Sequence, residues 1–231
     1  MSVNRIRRRM LQGALAAGGG LLIPHRSALA QVDAAAPLSA AKQASPQNLY
    51  SKRSLAIDTD YQIGDSYTYR IVDILTRLLE RERTLTVTDI VGDEVIFDQG
   101  GTVTDLFGNW RKLGGEIWKG SRMVPAEFHV GRQWNTRFRY ISQYGEADVS
   151  LQLSVADRET IRVPAGSFDA FRVEAHGWAN WRWPMRPSQW NWKIWFAPDV
   201  VRRLVAWEMM HSSGSHFDRT RRWELVAYKQ G

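Results

Sequence analysis

The sequence of 231 residues contains no cysteine. This absence excludes disulfide bonds, thiolate metal sites, iron–sulfur clusters and cysteine nucleophiles. A bacterial lipid anchor also needs a cysteine at the mature N-terminus, so we expect a soluble mature protein. Its folded part must be held together by an apolar core alone.

The sequence also lacks a hydrophobic run that is long enough to cross a membrane. The best candidate, residues 13–23, is diluted by glycine and closed by Pro24. A spanning helix needs about 20 apolar residues. We therefore expect a mature chain that does not span a membrane.

The N-terminal segment has instead the features of an export signal. Arg7 and Arg8 precede the short apolar run, and Ala28 and Ala30 form an A-x-A cleavage site after it. These features predict a twin-arginine-type signal peptide over residues 1–30. The twin-arginine translocase is then a transient partner, and the periplasm is the expected location of the mature protein.

Excess positive charge is also absent once the signal is removed. The whole chain has a formal net charge of +7, but five of its 31 basic side chains lie in the predicted signal. The remainder carries 26 basic against 24 acidic side chains. Nucleic-acid binding depends on clustered positive charge, so we expect no nucleic-acid partner.

Known catalytic motifs are missing as well. The sequence has no G-x-S-x-G, H-E-x-x-H, phosphate-loop or dinucleotide-binding pattern. His211, His216 and Asp218 are metal-ligating residue types, but Gly214 and the adjacent serines indicate an exposed turn. We predict no catalytic residue, no metal site and no cofactor.

The rest of the sequence consists mainly of short segments in which apolar and polar residues alternate. Residues 31–54 are rich in alanine, proline and serine, which predicts a flexible leader. From residue 55 to 231, β-branched and aromatic residues alternate with polar ones between turn residues, which predicts one antiparallel β domain. Its sheet is expected to curve into a half-barrel or open barrel.

Residues 74–82 fit a strand or one short helix, and we interpret them as a strand. Further strands are predicted at 102–107, 133–141, 147–155, 158–163, 168–183, 189–197, 202–211 and 221–228.

Six of the eleven tryptophans lie between residues 178 and 195. Directly opposed residues of an antiparallel hairpin have a constant sum of positions, and three tryptophan pairs share one sum: Trp178 with Trp195, Trp181 with Trp192, and Trp183 with Trp190. We therefore predict a hairpin that aligns these pairs. Because side chains alternate faces along a strand, Trp178 and Trp195 lie on the face opposite the other four.

Three segments resemble a known group of exported bacterial proteins. They are Ile161-Arg-Val-Pro-Ala-Gly-Ser-Phe-Asp-Ala-Phe171, Trp195-Phe-Ala-Pro198 and Val130-Gly-Arg-Gln-Trp134. Together they resemble the TapB-like family, whose function is unknown. The resemblance implies a curved antiparallel sheet similar to the half-barrel of periplasmic lipoprotein carriers, and it implies no catalytic residues. The residues themselves indicate a tight hairpin, because Pro164 ends a strand and Gly166 permits a positive φ.

These features favour a non-catalytic protein that binds or carries an apolar or amphiphilic ligand, or that serves as an accessory in the cell envelope. The ligand would be a lipid, a quinone or a glycan. We predict that aromatic and cationic side chains on a concave face bind it: Tyr67, Tyr69, Trp134, Trp181, Arg182, Trp183, Arg186, Trp190, Trp192 and Lys193. Two alternatives stay open: a glycan-binding or glycan-hydrolysing protein that uses the tryptophan platform, and a structural or partner-binding module whose aromatic residues are all core.

Overall fold

One-sided burial accounts for the strands of this chain. In the first long strand, Tyr67, Tyr69 and Ile71 are buried and the residues between them are partly exposed. Successive side chains of a strand point to opposite faces, so this pattern places one face in a core and the other towards solvent.

A computed structural model describes residues 54–182, 186–214 and 216–231. The predicted signal peptide with Arg7, Arg8, Ala28 and Ala30 lies outside the described residues, as do the leader up to residue 53 and Trp183.

Fourteen strands and one short 3₁₀ turn (Asp98–Gly100) make up the regular structure of the described residues. The strands are β1 (Leu55–Ala56), β2 (Ser66–Asp73), β3 (Leu79–Val91), β4 (Glu94–Phe97), β5 (Thr102–Asp105), β6 (Trp110–Leu113), β7 (Glu116–Lys119), β8 (Glu127–Phe128), β9 (Gln133–Ser142), β10 (Gly145–Val163), β11 (Gly166–Trp181), β12 (Pro187–Phe196), β13 (Leu204–Ser213) and β14 (His216–Lys229). The predicted mainly-β, antiparallel class is confirmed.

Twelve of these strands form a closed barrel in the order β10-β11-β12-β13-β14-β2-β3-β4-β5-β6-β7-β9, and β9 returns to pair with β10. Strands β1 and β8 pair separately. The predicted curvature is therefore confirmed, and the sheet continues past a half-barrel to complete closure.

The strand predicted over residues 74–82 begins later than expected. One carboxylate oxygen of Asp73 accepts hydrogen bonds from the backbone N–H groups of Leu75 and Thr76, at 3.0 and 2.7 Å. This side-chain bonding closes a turn, and β3 begins only at Leu79.

The two strands predicted before Pro164 are one long strand, β10, with a bulge between Val155 and Asp157. A bulge interrupts the ladder without ending the strand. The hairpin after β10 is confirmed, because β10 ends at Val163 and Gly166 has a φ of 135°.

The predicted register of the tryptophan hairpin is wrong. Strands β11 and β12 do pair, but Trp190 lies opposite Gly177, Trp192 lies opposite Ala175, and Trp195 lies opposite Arg172. The inner face of β11 carries small residues that leave room for the indole rings of β12. A Cβ atom on Gly177 would lie 2.0 Å from the backbone oxygen of Ser150, so this position admits no side chain.

The predicted division of faces is confirmed where the structure describes it. Trp190 and Trp192 are each 1% exposed inside the barrel, whereas Trp178 is 51% exposed outside. Trp195 also faces outward, where its Nε1 donates to Glu159 at 2.8 Å and the Arg222 guanidinium lies over its ring.

The barrel is filled by side chains. Trp118 lies at its centre, with ring centroids of Trp190, Trp192 and Trp207 between 5.9 and 6.2 Å away. Such aromatic pairs contribute about 0.5–1.5 kcal/mol each beyond their burial. The interior is therefore an aromatic core with local cavities.

Candidate functional site

Strands β2, β4, β6, β9, β11 and β13 all run towards one end of the barrel, because every strand of the ring is antiparallel to its neighbours. A cavity of about 450 Å³ opens there. We call this end the arginine-rich end and this space the aromatic cavity. It is lined by Tyr140, Tyr144, Trp181, Arg186, Trp190, His211, Ser213, Asp218 and Arg219.

His211, on β13, forms part of the wall of the aromatic cavity. Its ring stacks on Trp190 with centroids 4.1 Å apart and an interplanar angle of 2°. Its Nε2 accepts a hydrogen bond from Nε1 of Trp192 at 2.8 Å. Burial lowers the pKa of His211 well below its ordinary value, and the positive charges of Arg219 and Arg221 lower it further. The imidazole is therefore neutral and packs as an aromatic ring.

Arg219 projects from β14 into the same region and forms an ion pair with Glu116 of β7 at 2.9 Å. Both side chains are largely shielded from solvent, with 16% and 21% exposed. Burial raises the pKa of the neighbouring Tyr140 hydroxyl, and the negative charge of Glu116 raises it further. The site therefore combines an un-ionised phenol, a neutral imidazole and a paired guanidinium.

A second cavity of about 610 Å³ lies beside the aromatic cavity at the arginine-rich end. We call it the polar cavity, because charged side chains dominate its lining, among them Asp73, Glu80, Arg81, Glu116 and Arg221. Tyr144, Asp218 and Arg219 line both cavities. An amphiphilic molecule would therefore meet aromatic rings and charged groups side by side.

Three residues of the predicted binding set line the aromatic cavity: Trp181, Arg186 and Trp190. The indole N–H groups of Trp181 and Trp190 both donate to the hydroxyl oxygen of Ser188, at 3.0 Å each. One serine thus fixes the orientation of two rings in the wall. Trp192 is not a lining residue, but its indole N–H donates to His211, which is one.

The other predicted residues lie elsewhere. Tyr67 and Tyr69 are buried in the core, where their hydroxyls donate to Gln230 and to the backbone oxygen of Leu204. Arg182 is exposed and pairs with Glu146 and Asp148. Lys193 is exposed on the outer face of β12.

Trp134 lines a different cavity, of about 630 Å³. Its indole N–H donates to the backbone oxygen of Arg122 at 3.0 Å. We call this space the Trp134 cavity. Asp93, Asp105, Asn109, Arg111, Arg132 and Asn135 are among its other lining residues. The predicted single aromatic face is thus divided among two cavities and the core.

Sequence reasoning missed Tyr140, Tyr144 and Arg219, and it considered His211 only as a metal ligand. These residues come from β9, the β9–β10 turn, β13 and β14, which the chain brings together only by closing the barrel. Alternation along β9 could have placed Tyr140 inward, but nothing local indicates that Arg219 lies beside it. Within the described ranges, His, Asp and Glu side chains form no group of three that could hold a metal ion.

No family model matches this chain, and no curated protein matches it. A solved protein from Bacteroides fragilis, named as an exported protein with a YmcC-like fold, is similar with a TM-score of 0.51 and 14% identity. The similarity covers 76% of this chain and 100% of that one. It shows that the two proteins share a fold.

Two further solved structures have a lower similarity to this chain. A protein from Parabacteroides distasonis that is named as a lipoprotein has a TM-score of 0.46 and 12% identity, over 75% of this chain and 99% of that one. The hypothetical lipoprotein YmcC from Escherichia coli has a TM-score of 0.45 and 14% identity, over 73% of this chain and 84% of that one.

In the part of the chain that the structure describes, no helix has the length and apolar character needed to cross a membrane.

Proposed function

We propose that this chain is an exported periplasmic protein that binds an amphiphilic ligand at the arginine-rich end of its barrel, without catalysis. The observation that carries this proposal is the aromatic cavity with Arg186 and Arg219 beside its aromatic rings. Its volume of about 450 Å³ lies within the roughly 300–1,000 Å³ of typical small-molecule sites.

The walls of the cavity suit a ligand with an apolar part. Trp190 and the neutral His211 present a continuous stack, and Tyr140 packs edge-on against Trp190 with ring centroids 5.2 Å apart. Apolar surface buried against such rings stabilises a complex by about 25 cal/mol per Å². The rings are fixed by hydrogen bonds and stacking, so little side-chain freedom would be lost on binding.

Export is supported by the sequence of residues 1–30, with Arg7 and Arg8 before the apolar run and Ala28 and Ala30 at the cleavage site. The TapB-like segments support membership of an exported family. A lipid or a quinone fits the aromatic cavity better than a nucleotide, because no phosphate-binding loop accompanies it in the sequence.

Two experiments test this proposal. Native mass spectrometry of protein purified from its own periplasm should detect a retained amphiphile. Titration of the mature protein with dodecanol should show binding, and Trp181→Leu should weaken that binding about tenfold, which corresponds to about 1.4 kcal/mol of lost contact.

The matched control is Trp178→Leu, which changes a tryptophan on the outer face of the same strand. It should leave the affinity unchanged. If the native protein neither retains an amphiphile nor binds dodecanol, the ligand-binding function is wrong and a structural or partner-binding module becomes the better explanation.

The Trp134 cavity favours a second candidate function, glycan binding. An aromatic side chain stands there beside carboxylates, amides and guanidinium groups, and a few convergent polar groups give small-molecule sites their specificity. Binding of cell-wall oligosaccharides that Trp134→Ala abolishes would support this candidate, and hydrolysis lost on a single Asp or Glu substitution would make the protein a glycan hydrolase.

A further inference from the structure

Three tryptophans in the barrel have indole N–H groups without a hydrogen-bond partner among the described residues: Trp118, Trp207 and Trp223. They are only 1%, 0% and 3% exposed. Buried donors are normally paired, because an unpaired one has lost its hydrogen bonds to water without replacement. The contrast within this protein is clear, since Trp134, Trp181, Trp190, Trp192 and Trp195 all donate to named acceptors.

All three tryptophans line one small cavity of about 70 Å³, which we call the indole cavity. Leu113 and Met209 complete its apolar lining. One water molecule needs roughly 10–15 Å³ of such space, so the indole cavity has room for a group of several heavy atoms.

The remaining lining is strongly basic. It contains Arg81, Arg83, Arg219 and Arg221, against one carboxylate, Glu116. Arg219 pairs with Glu116 and Arg221 pairs with Glu80. Arg81 and Arg83 form no ion pair with any carboxylate in the described ranges. The indole cavity therefore has an excess of positive charge.

Arg83 is held at the wall of this cavity. Its Nη2 donates to the hydroxyl of Thr102 at 2.7 Å. On the other side, a Cβ atom on Gly114 would lie 2.9 Å from Nη1 of Arg83, and Gly114 has a φ of 58°. A glycine at this turn thus leaves the space that the guanidinium occupies. Burial lowers the pKa of Arg83, whereas the negative charge of Asp98 opposes that effect.

The indole cavity is close to the proposed ligand site. Arg219 lines the aromatic, polar and indole cavities alike. The polar cavity also shares Arg81, Gly114, Glu116 and Arg221 with the indole cavity. A ligand at the arginine-rich end could therefore extend past the Arg219–Glu116 pair towards the three indoles.

We propose that the indole cavity binds the carboxylate end of the amphiphile, with Trp118, Trp207, Trp223 and Arg83 as hydrogen-bond donors. An ionised carboxylate has two oxygens with about four lone-pair sites and donates nothing, which matches three indole N–H groups and one guanidinium. This inference rests on the proposed function, because the apolar part of the same molecule would occupy the aromatic cavity.

The test compares two probes of equal chain length, dodecanoate and dodecanol, by calorimetric titration of the mature protein below their aggregation concentrations. We expect dodecanoate to bind at least about tenfold more tightly, as charge-assisted hydrogen bonds are among the stronger ones. Trp223→Phe removes one N–H group and keeps an aromatic ring, so it should weaken dodecanoate binding about tenfold and leave dodecanol unaffected. Trp178→Phe, on the outer face, is the matched control.

The outcomes separate the two proposals. Equal affinity of the native protein for both probes would overturn the carboxylate site and leave the proposed function standing, whereas binding of neither probe would overturn both. Should Trp223→Phe fail to fold, the indole N–H resonances of the native protein give the answer. Three buried resonances should shift on addition of dodecanoate and not of dodecanol, and their failure to shift would refute the carboxylate site.

Discussion

The buried His211 predicts that the protein loses stability in mild acid. The ordinary histidine pKa is about 6.5, and burial lowers the pKa of His211 well below that in the folded state. The unfolded chain therefore takes up a proton on acidification that the folded chain does not. The stability that follows from a depressed folded-state pKa is fully present above about pH 6.5, and it declines as the pH falls below that value.

The size of this loss of stability is limited by the uptake of one proton by the unfolded chain. Each pH unit below the unfolded-state pKa costs at most about 1.4 kcal/mol, so the free energy of unfolding should fall between about pH 7.5 and about pH 5, with an upper limit of about 2 kcal/mol for this one proton. The structure gives a second reason why protonation of His211 destabilises the folded protein. Protonation would turn Nε2 of His211 into a donor facing the Nε1 donor of Trp192, which now bonds to it at 2.8 Å.

The assay is urea unfolding at several pH values for the native protein and for His211→Gln. The glutamine retains an acceptor for Trp192 and does not titrate. We expect the variant to be less stable at neutral pH, because it loses the stack on Trp190, but to show a shallower dependence on pH. An identical decline in both proteins would refute the reasoning, since the remaining histidines are common to both.

Three other predictions concern the fold and the export signal. Gly177→Ala should destabilise the barrel by about 1–3 kcal/mol or more through overpacking, because its Cβ would lie 2.0 Å from the Ser150 oxygen. Thermal unfolding measures this loss, and an unchanged melting temperature would contradict the observed register. Asp65→Ala should cost about 1–3 kcal/mol, because it removes the buried one of the two carboxylates that pair with Arg202, at 2.8 Å, and leaves only Asp58 at 2.9 Å. Asp93→Ala, at an exposed ion pair with Arg111, should cost under about 1 kcal/mol, and equal losses would show that burial does not matter here. Replacing Arg7 and Arg8 together by lysine should abolish export, as measured by fractionation, and normal export would exclude the twin-arginine route.

The fold class could be predicted from the sequence because alternation is a local property. Tyr67, Tyr69 and Ile71 reveal a one-sided strand without knowledge of its neighbours. The hairpin at Pro164 and Gly166 could be predicted for the same reason, since both residues restrict or extend the backbone at their own positions.

The register of the tryptophan hairpin could not be predicted by matching large residues with large ones. What decides it is the volume available inside the barrel, where Ala175 and Gly177 lie opposite Trp192 and Trp190. Small residues opposite large ones fill a closed interior, and this criterion would have favoured the observed pairing.

The candidate site was only partly predictable. Trp181, Arg186 and Trp190 lie near one another in sequence and line the same cavity. Arg219 and Glu116 are 103 residues apart, and their ion pair depends on how β7 and β14 are placed by closure of the whole sheet. No local pattern carries that information.

Closure of the barrel also limits how other proteins can engage this one. Every strand in the described twelve-stranded ring has a neighbour on both sides over at least part of its length, so most of the ring offers no backbone edge for an incoming peptide to extend. The exceptions include the end of the β10–β11 hairpin, where residues 157–163 and 166–170 pair only with each other. A partner in the cell envelope would have to add its strand at such an overhang, or else recognise loops or outward side chains.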